Sequence, residues 1–112
     1  MKRVLIEFDK LPWESPRPGV RYKAFVSGTQ QLRLLEFSDG FEEKEWCTKG
    51  HAFYVLDGLL LLRMKNGVVR MKAGQIGFLD AGEANSHKVI MEPGERALLL
   101  LFEVLAAPNG LS

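Results

Sequence analysis

The chain of 112 residues has two histidines and one cysteine. They sit in two short polar segments that could together do chemistry. The first runs Glu45-Trp46-Cys47-Thr48-Lys49-Gly50-His51. In a strand, alternate side chains leave the same face, so Glu45 and Cys47 project together and Trp46 opposes them. A turn at Lys49-Gly50 then returns His51 to the same place. The second segment, Gly82-Glu83-Ala84-Asn85-Ser86-His87, puts Asn85 and His87 on one face. If both segments line one hollow, a carboxylate, a thiolate and two imidazoles converge, a set able to hold a divalent transition metal. The expected ligands are therefore Glu45, Cys47, His51 and His87, with zinc, iron, nickel or manganese all open. Asn85, Phe53 and Phe78 are the expected substrate contacts, Phe53 walling the hollow from the face it shares with His51. Each of these residues also has an ordinary reading: Cys47 as a small buried hydrophobe, Glu45 as a solvated charge, the aromatics as core or interface. A Cys47–His51 nucleophilic pair is conceivable, but no oxyanion site is visible beside it.

The elements that must position these groups are strands. From Gly50 onward, glycine turns recur every seven to twelve residues, a spacing too close for helices of ordinary length. Strands are expected near Val4–Phe8, Arg21–Val26, Gln31–Phe37, Glu43–Thr48, Ala52–Leu56, Leu60–Met64, Val68–Met71, Ile76–Leu79, His87–Met91 and Ala97–Val104. Asn66-Gly67 is the clearest hairpin signal, expected as a type I′ turn. The runs Leu59–Leu62 and Leu98–Phe102 are apolar on both strand faces, so the outside of the sheet must be covered. Either the chain's own N-terminal segment or a second subunit does this, and a homodimer is the favoured expectation. The proline-rich stretch Leu11–Gly19 reads as an irregular arm.

Composition narrows the function classes. Fifteen basic and fourteen acidic side chains leave a formal charge of +1, which gives no electrostatic reason to bind nucleic acid or an anionic membrane. No apolar run approaches the roughly 18 to 20 residues that span a bilayer. Met1–Phe8 is too short for a signal peptide and carries Glu7 where an apolar core belongs. A single cysteine forms no internal disulfide, so a reducing cytoplasm is the expected location. There is no Gly-x-Ser-x-Gly elbow, phosphate-binding Gly-x-x-x-x-Gly-Lys loop or Cys-x-x-Cys pair.

Over roughly Gln31 to Val104 the pattern resembles the cupin superfamily, whose two motifs are G-x5-H-x-H-x3,4-E-x6-G and G-x5-P-x-G-x2-H-x3-N. Counting back from Gly58, His51 falls at the glutamate position, Cys47 at the second histidine and Glu45 at the first, with Gly40 one residue too near. In the second motif Gly74 and Gly82 match, Asp80 replaces proline, Asn85 stands at the histidine and Val89 at the asparagine. His87 lies two residues beyond on the same face, so either Asn85 or His87 takes that ligand position. The stretch from Glu45 to Gly58 is also similar to a subgroup of small bacterial cupins. The resemblance implies an all-β, cupin-like jelly-roll barrel over residues 31–106, with strands and arm of residues 1–30 packing on the barrel or on a dimer partner. It further implies metal-dependent chemistry on a small polar molecule, without choosing oxygenase, isomerase or hydrolase. The alternative is a metal-free small-molecule binding or sensing module in the same cavity.

Overall fold

The computed structural model describes residues 5–105. Eight strands make up nearly all the regular structure: β1 (Glu14–Arg17), β2 (Val20–Ser27), β3 (Gln30–Ser38), β4 (His51–Met64), β5 (Gly67–Lys72), β6 (Ile76–Leu79), β7 (His87–Val89) and β8 (Arg96–Val104). They pair antiparallel in the order β1-β2-β3-β8-β4-β5, with β6 and β7 also on β4. This is a curled all-β sheet of jelly-roll type, as the sequence led us to expect.

The curl depends on β4. Its first half pairs with β8 and β6, and its second half with β5 and β7. The change of partners coincides with a register shift between Val55 and Asp57, next to Gly58. Gly58 has φ of 82°, and a Cβ built on it would lie 1.8 Å from the carbonyl oxygen of Arg96. Only a residue without a side chain lets β8 approach this closely while the strand bends. The extra residue, Leu56, makes a bulge just before Asp57-Gly58 inside one long strand, where the sequence suggested a turn between two. The Asn66-Gly67 hairpin is present, joining β4 to β5, but Met64 pairs with Gly67. Its two-residue loop is therefore Lys65-Asn66. Asn66 is not among the positive-φ residues that a type I′ turn at Asn66-Gly67 demands.

Side chains alternate cleanly in β8: Ala97, Leu99, Leu101 and Glu103 are buried, and the residues between them are half-buried or exposed. With Val55, Phe53, Leu60, Leu62, Leu35 and Phe37 the three apolar members form the core. Part of the opposite face is covered by the N-terminal segment. Lys23 Nζ donates to the carbonyl of Phe8 at 2.8 Å, and the Trp13 ring lies under Arg21 and Lys23, 4.0 and 4.9 Å from their charged ends.

Three expectations need correction. Residues Phe8–Lys10 form a 3-10 turn and not the end of a strand; Val4 lies outside the described residues. Within Leu11–Gly19, Glu14–Arg17 pairs with β2 as an edge strand, where Pro16 is tolerated because an edge leaves one side of the backbone unbonded. Glu43–Thr48 is not a strand. Its ladder pairing is reduced to isolated bridges, Glu42 with Ile90 and Cys47 with His87, with bends between them and a few further hydrogen bonds such as that from Glu43 N–H to the Val89 carbonyl.

Candidate functional site

His51 is the first residue of β4 and shares its inward face with Phe53 and Val55. The pairing of Ala52 with Phe102 sets Glu103 beside it on β8. His51 Nδ1 stands 3.3 Å from Glu103 Oε2. The approach is that of an ion pair, without the alignment of a hydrogen bond. Arg33 and Gln31 of β3, inward-facing by the same alternation, hold the other carboxylate oxygen. The Arg33 guanidinium forms an ion pair with it at 2.9 Å, and the Gln31 amide donates a hydrogen bond.

His87 comes from the opposite side. It opens β7, is 4% exposed, and exchanges both backbone hydrogen bonds with Cys47, at 2.9 and 3.0 Å. Its Nδ1 lies 3.0 Å from the carbonyl of Asn85, which can only accept, so Nδ1 carries the proton. This fixes the ring and leaves Nε2 to face the Cys47 thiol. Cys47 Sγ is 3.4 Å from His51 Nε2, and the two imidazoles meet edge to face with centroids 5.3 Å apart. The nearest ligand atoms of Cys47, His51 and His87 all lie within 4.8 Å of one another.

Proximity moves the proton equilibria. Hydrogen bonds from His51 and then His87 stabilise the thiolate over the burial that opposes it, bringing Cys47 down to about 6. Burial works against a charged His51, yet the thiolate and Glu103 outweigh it and raise its pKa to about 9. Burial likewise opposes charge on His87, and Cys47 and the Asn85 carbonyl raise it. His51, against the opposition of burial and with help from Arg33 and Gln31, holds Glu103 down at about 2. At neutral pH the cluster is a thiolate beside the His51 imidazolium, which is anchored in turn on the Glu103 carboxylate.

The cluster opens into a cavity of about 410 Å³ between the curled halves of the sheet, otherwise walled by residues such as Phe41, Phe53, Leu60 and Leu101. Phe53 reaches its place only because β6 presents Gly77 opposite it. A Cβ there would lie 2.1 Å from the ring.

No protein-family model matches the sequence, and neither does any curated protein. Among solved structures, the polyketide cyclase RemF from Streptomyces resistomycificus superposes with a TM-score of 0.79 at 19% identity, over 96% of this chain and 82% of that one. An RmlC-like cupin from Shewanella frigidimarina gives 0.76 at 13% identity, over 96% of both chains. KdgF from Halomonas sp. gives 0.73 at 13%, over 90% and 93%. The chain has the cupin fold.

Within this cupin fold, Cys47, His51 and His87 come together, and Phe53 walls their cavity. Glu45 does not join them. The bends at Lys44 and Glu45 break the alternation that would have aimed it inward, and it is exposed. Phe78 is 75% exposed on the outer face, since Gly77 takes the inward position on β6. Asn85 contributes its backbone carbonyl, and its side chain is not part of the cavity wall. His87, and not Asn85, thus stands beside Cys47 and His51. Sequence reasoning missed Glu103, Arg33 and Tyr22. Their signal was the period-two alternation along β2, β3 and β8, which puts Glu103 in line with Ala97, Leu99 and Leu101.

Proposed function

We propose that Cys47, His51 and His87 hold a zinc ion at the end of the cavity, where a small molecule is bound and acted upon. The observation that carries this reading is the orientation of the two imidazoles. Each turns its Nδ1 toward an acceptor, Glu103 or the Asn85 carbonyl, and presents Nε2 to the thiol, the outer-sphere arrangement of metal-binding histidines. The donor set fits the ion. Zn–S near 2.3 Å and Zn–N near 2.05 Å at a tetrahedral angle imply a sulfur–nitrogen span of about 3.6 Å, against 3.4 Å here. One thiolate with two imidazoles suits zinc better than the harder manganese. Three protein ligands leave a position for water or substrate, as in catalytic zinc sites, and the ion would serve there as Lewis acid or as activator of bound water. Phe53 and the leucines exclude bulk water; Glu103 keeps His51 in the tautomer that binds through Nε2.

Elemental analysis of protein purified without an affinity tag tests this, with about one zinc per chain expected and metal-free protein overturning it. A pH dependence goes with it. His51 must lose its proton to bind metal, and its pKa is raised to about 9, so affinity falls as pH drops. From His51 alone the loss is about tenfold per unit between pH 9 and pH 7, and His87, whose pKa is also raised, acts in the same direction as it protonates. Calorimetry in buffers of different ionisation enthalpy reads the protons released. A second reading, metal-free binding, is favoured by the Cys47–His51–Glu103–Arg33 chain, in which thiolate and carboxylate are matched by imidazolium and guanidinium without an ion. That reading predicts ligand binding unchanged by chelators.

For assembly we propose a homodimer through the outer sheet face. Ile76, Phe78, Tyr54, Phe102 and Val104 are between 39% and 75% exposed there. They form one continuous patch, because Ala52 pairs with Phe78 and Phe102, and Tyr54 with Ile76. Residues 1–30 are proposed to cover the barrel on the remaining outer face or to reach the partner. F78E is expected to halve the mass measured by light scattering; a wild-type monomer at micromolar concentration overturns the dimer. A reduced thiol ligand fits a reducing compartment such as the cytoplasm. Among the described residues no helix is long and apolar enough to cross a membrane.

A further inference from the structure

The cavity wall carries more hydrogen-bond donors than acceptors, and the imbalance specifies the ligand. Two carboxylates line it, and both are engaged. Glu43 accepts from the backbone N–H of Val89 at 2.8 Å, and Glu103 is held by Arg33, Gln31 and His51. Besides the histidine cluster, three cationic side chains line the same space: Arg17 from edge strand β1, Arg33 from β3 and Lys49 from the connection into β4. Arg17 and Lys49 are exposed, and among the described residues neither has a carboxylate partner. Arg17 lies only over the ring of Phe41, at 4.9 Å. Arg33 is different. Its side chain is 25% exposed, yet its Nε is buried without a hydrogen-bond partner.

A buried guanidinium N–H with nothing to donate to is rare in a folded protein and calls for an acceptor. Tyr22 stands beside it on the inward face, its ring 5.5 Å from the guanidinium carbon. The pairing of Ala24 with Arg33 and of Tyr22 with Leu35 makes the two side chains diagonal neighbours on adjacent strands. Guanidinium and aromatic ring therefore share one wall, and most of the lining away from the Cys47–His51–His87 cluster and the charged rim is aromatic and aliphatic. We propose that the ligand of this cavity is an apolar organic anion. Its ring or chain lies against Phe53 and the leucines, and its carboxylate or enolate oxygen accepts from Arg33. Arg17 and Lys49 draw it in at the mouth. This rests on the cavity being the functional site and does not require the ion.

The test compares two probes of nearly the same shape, 2-naphthoate and its neutral amide 2-naphthamide, by titration calorimetry on full-length protein freed of metal with EDTA. Removing metal keeps a zinc–carboxylate contact from mimicking the effect, so failure of the zinc reading and of this one are told apart. The carboxylate is expected to bind at least tenfold more tightly than the amide at low salt. R33Q is expected to reduce that ratio below threefold. The double variant R17Q/K49Q is expected to weaken naphthoate severalfold and to flatten its salt dependence, leaving the amide unaffected. Equal affinity for the two probes, a preference that survives in R33Q, or no binding of either at millimolar concentration overturns the proposal. The wild-type comparison needs no variant, so misfolding of R33Q leaves the test standing.

Discussion

Zinc affinity falls at least about 100-fold when Cys47 is replaced by serine. Apparent binding energies of about 10 to 16 kcal/mol shared over four ligands put each near 3 kcal/mol, a factor of roughly 100. A hydroxyl at this position does not restore the loss, because it is not ionised at neutral pH, whereas the thiol of Cys47 already is, with its pKa lowered to about 6 by His51 and His87. H51A is expected to match it. Glu103→Gln should cost about 10- to 100-fold, the usual effect of disturbing a group behind a ligand. Competition against a chromophoric chelator measures all three. A parallel series of melting curves separates ligand loss from misfolding: EDTA lowers the melting temperature of the wild type and leaves that of C47S unchanged. If C47S binds zinc within threefold of the wild type, sulfur is not a ligand.

Gly58→Ala carries the largest expected effect on the fold, a loss of about 3 to 5 kcal/mol. A methyl group there meets the backbone oxygen of Arg96 at 1.8 Å, and φ is 82°. No rotamer relieves contact with a backbone atom, so β8 must move away from β4. Gly28→Ala is the control: it too has positive φ, but nothing lies within 4 Å of the added carbon, and about 1 kcal/mol is expected. Urea unfolding reads both. The consequence extends to the site, because β4 begins with His51 and ends with Met64 paired to His87. A shift at the bend displaces one imidazole relative to the other, and zinc affinity drops together with stability. Equal destabilisation by the two variants overturns the assigned role of Gly58.

What could be read from the residues was set by how local the determining physics is. Period-two alternation located β2, β3 and β8, because a strand with one face in the core writes its own pattern, and glycine spacing located β5 and β6. The convergence of Cys47, His51 and His87 was legible because each is a rare residue type near a glycine turn. Glu45 misled because a strand was assumed where the backbone bends, and one bend reverses which side chain faces inward. Phe78 misled for a related reason. Only the pairing of Gly77 with Phe53 fixes which face of β6 points inward. Glu103 was illegible as a site residue because its partner, His51, is 52 positions away, and only the register of β4 on β8 puts them side by side. Arg33, with its unpartnered Nε, belongs to the same class.

The thiol reaches the centre on a connection that belongs to no named strand, stitched to the short strand β7 and its continuation by a few backbone bonds, among them the reciprocal pair between Cys47 and His87. The imidazoles ride on strands; the sulfur does not. Exchange of this soft donor for a harder one, or for none, is therefore confined to a surface loop and leaves the barrel's packing untouched. The scaffold separates what makes it fold from what selects its ion, and descendants of this chain can change the second while keeping the first.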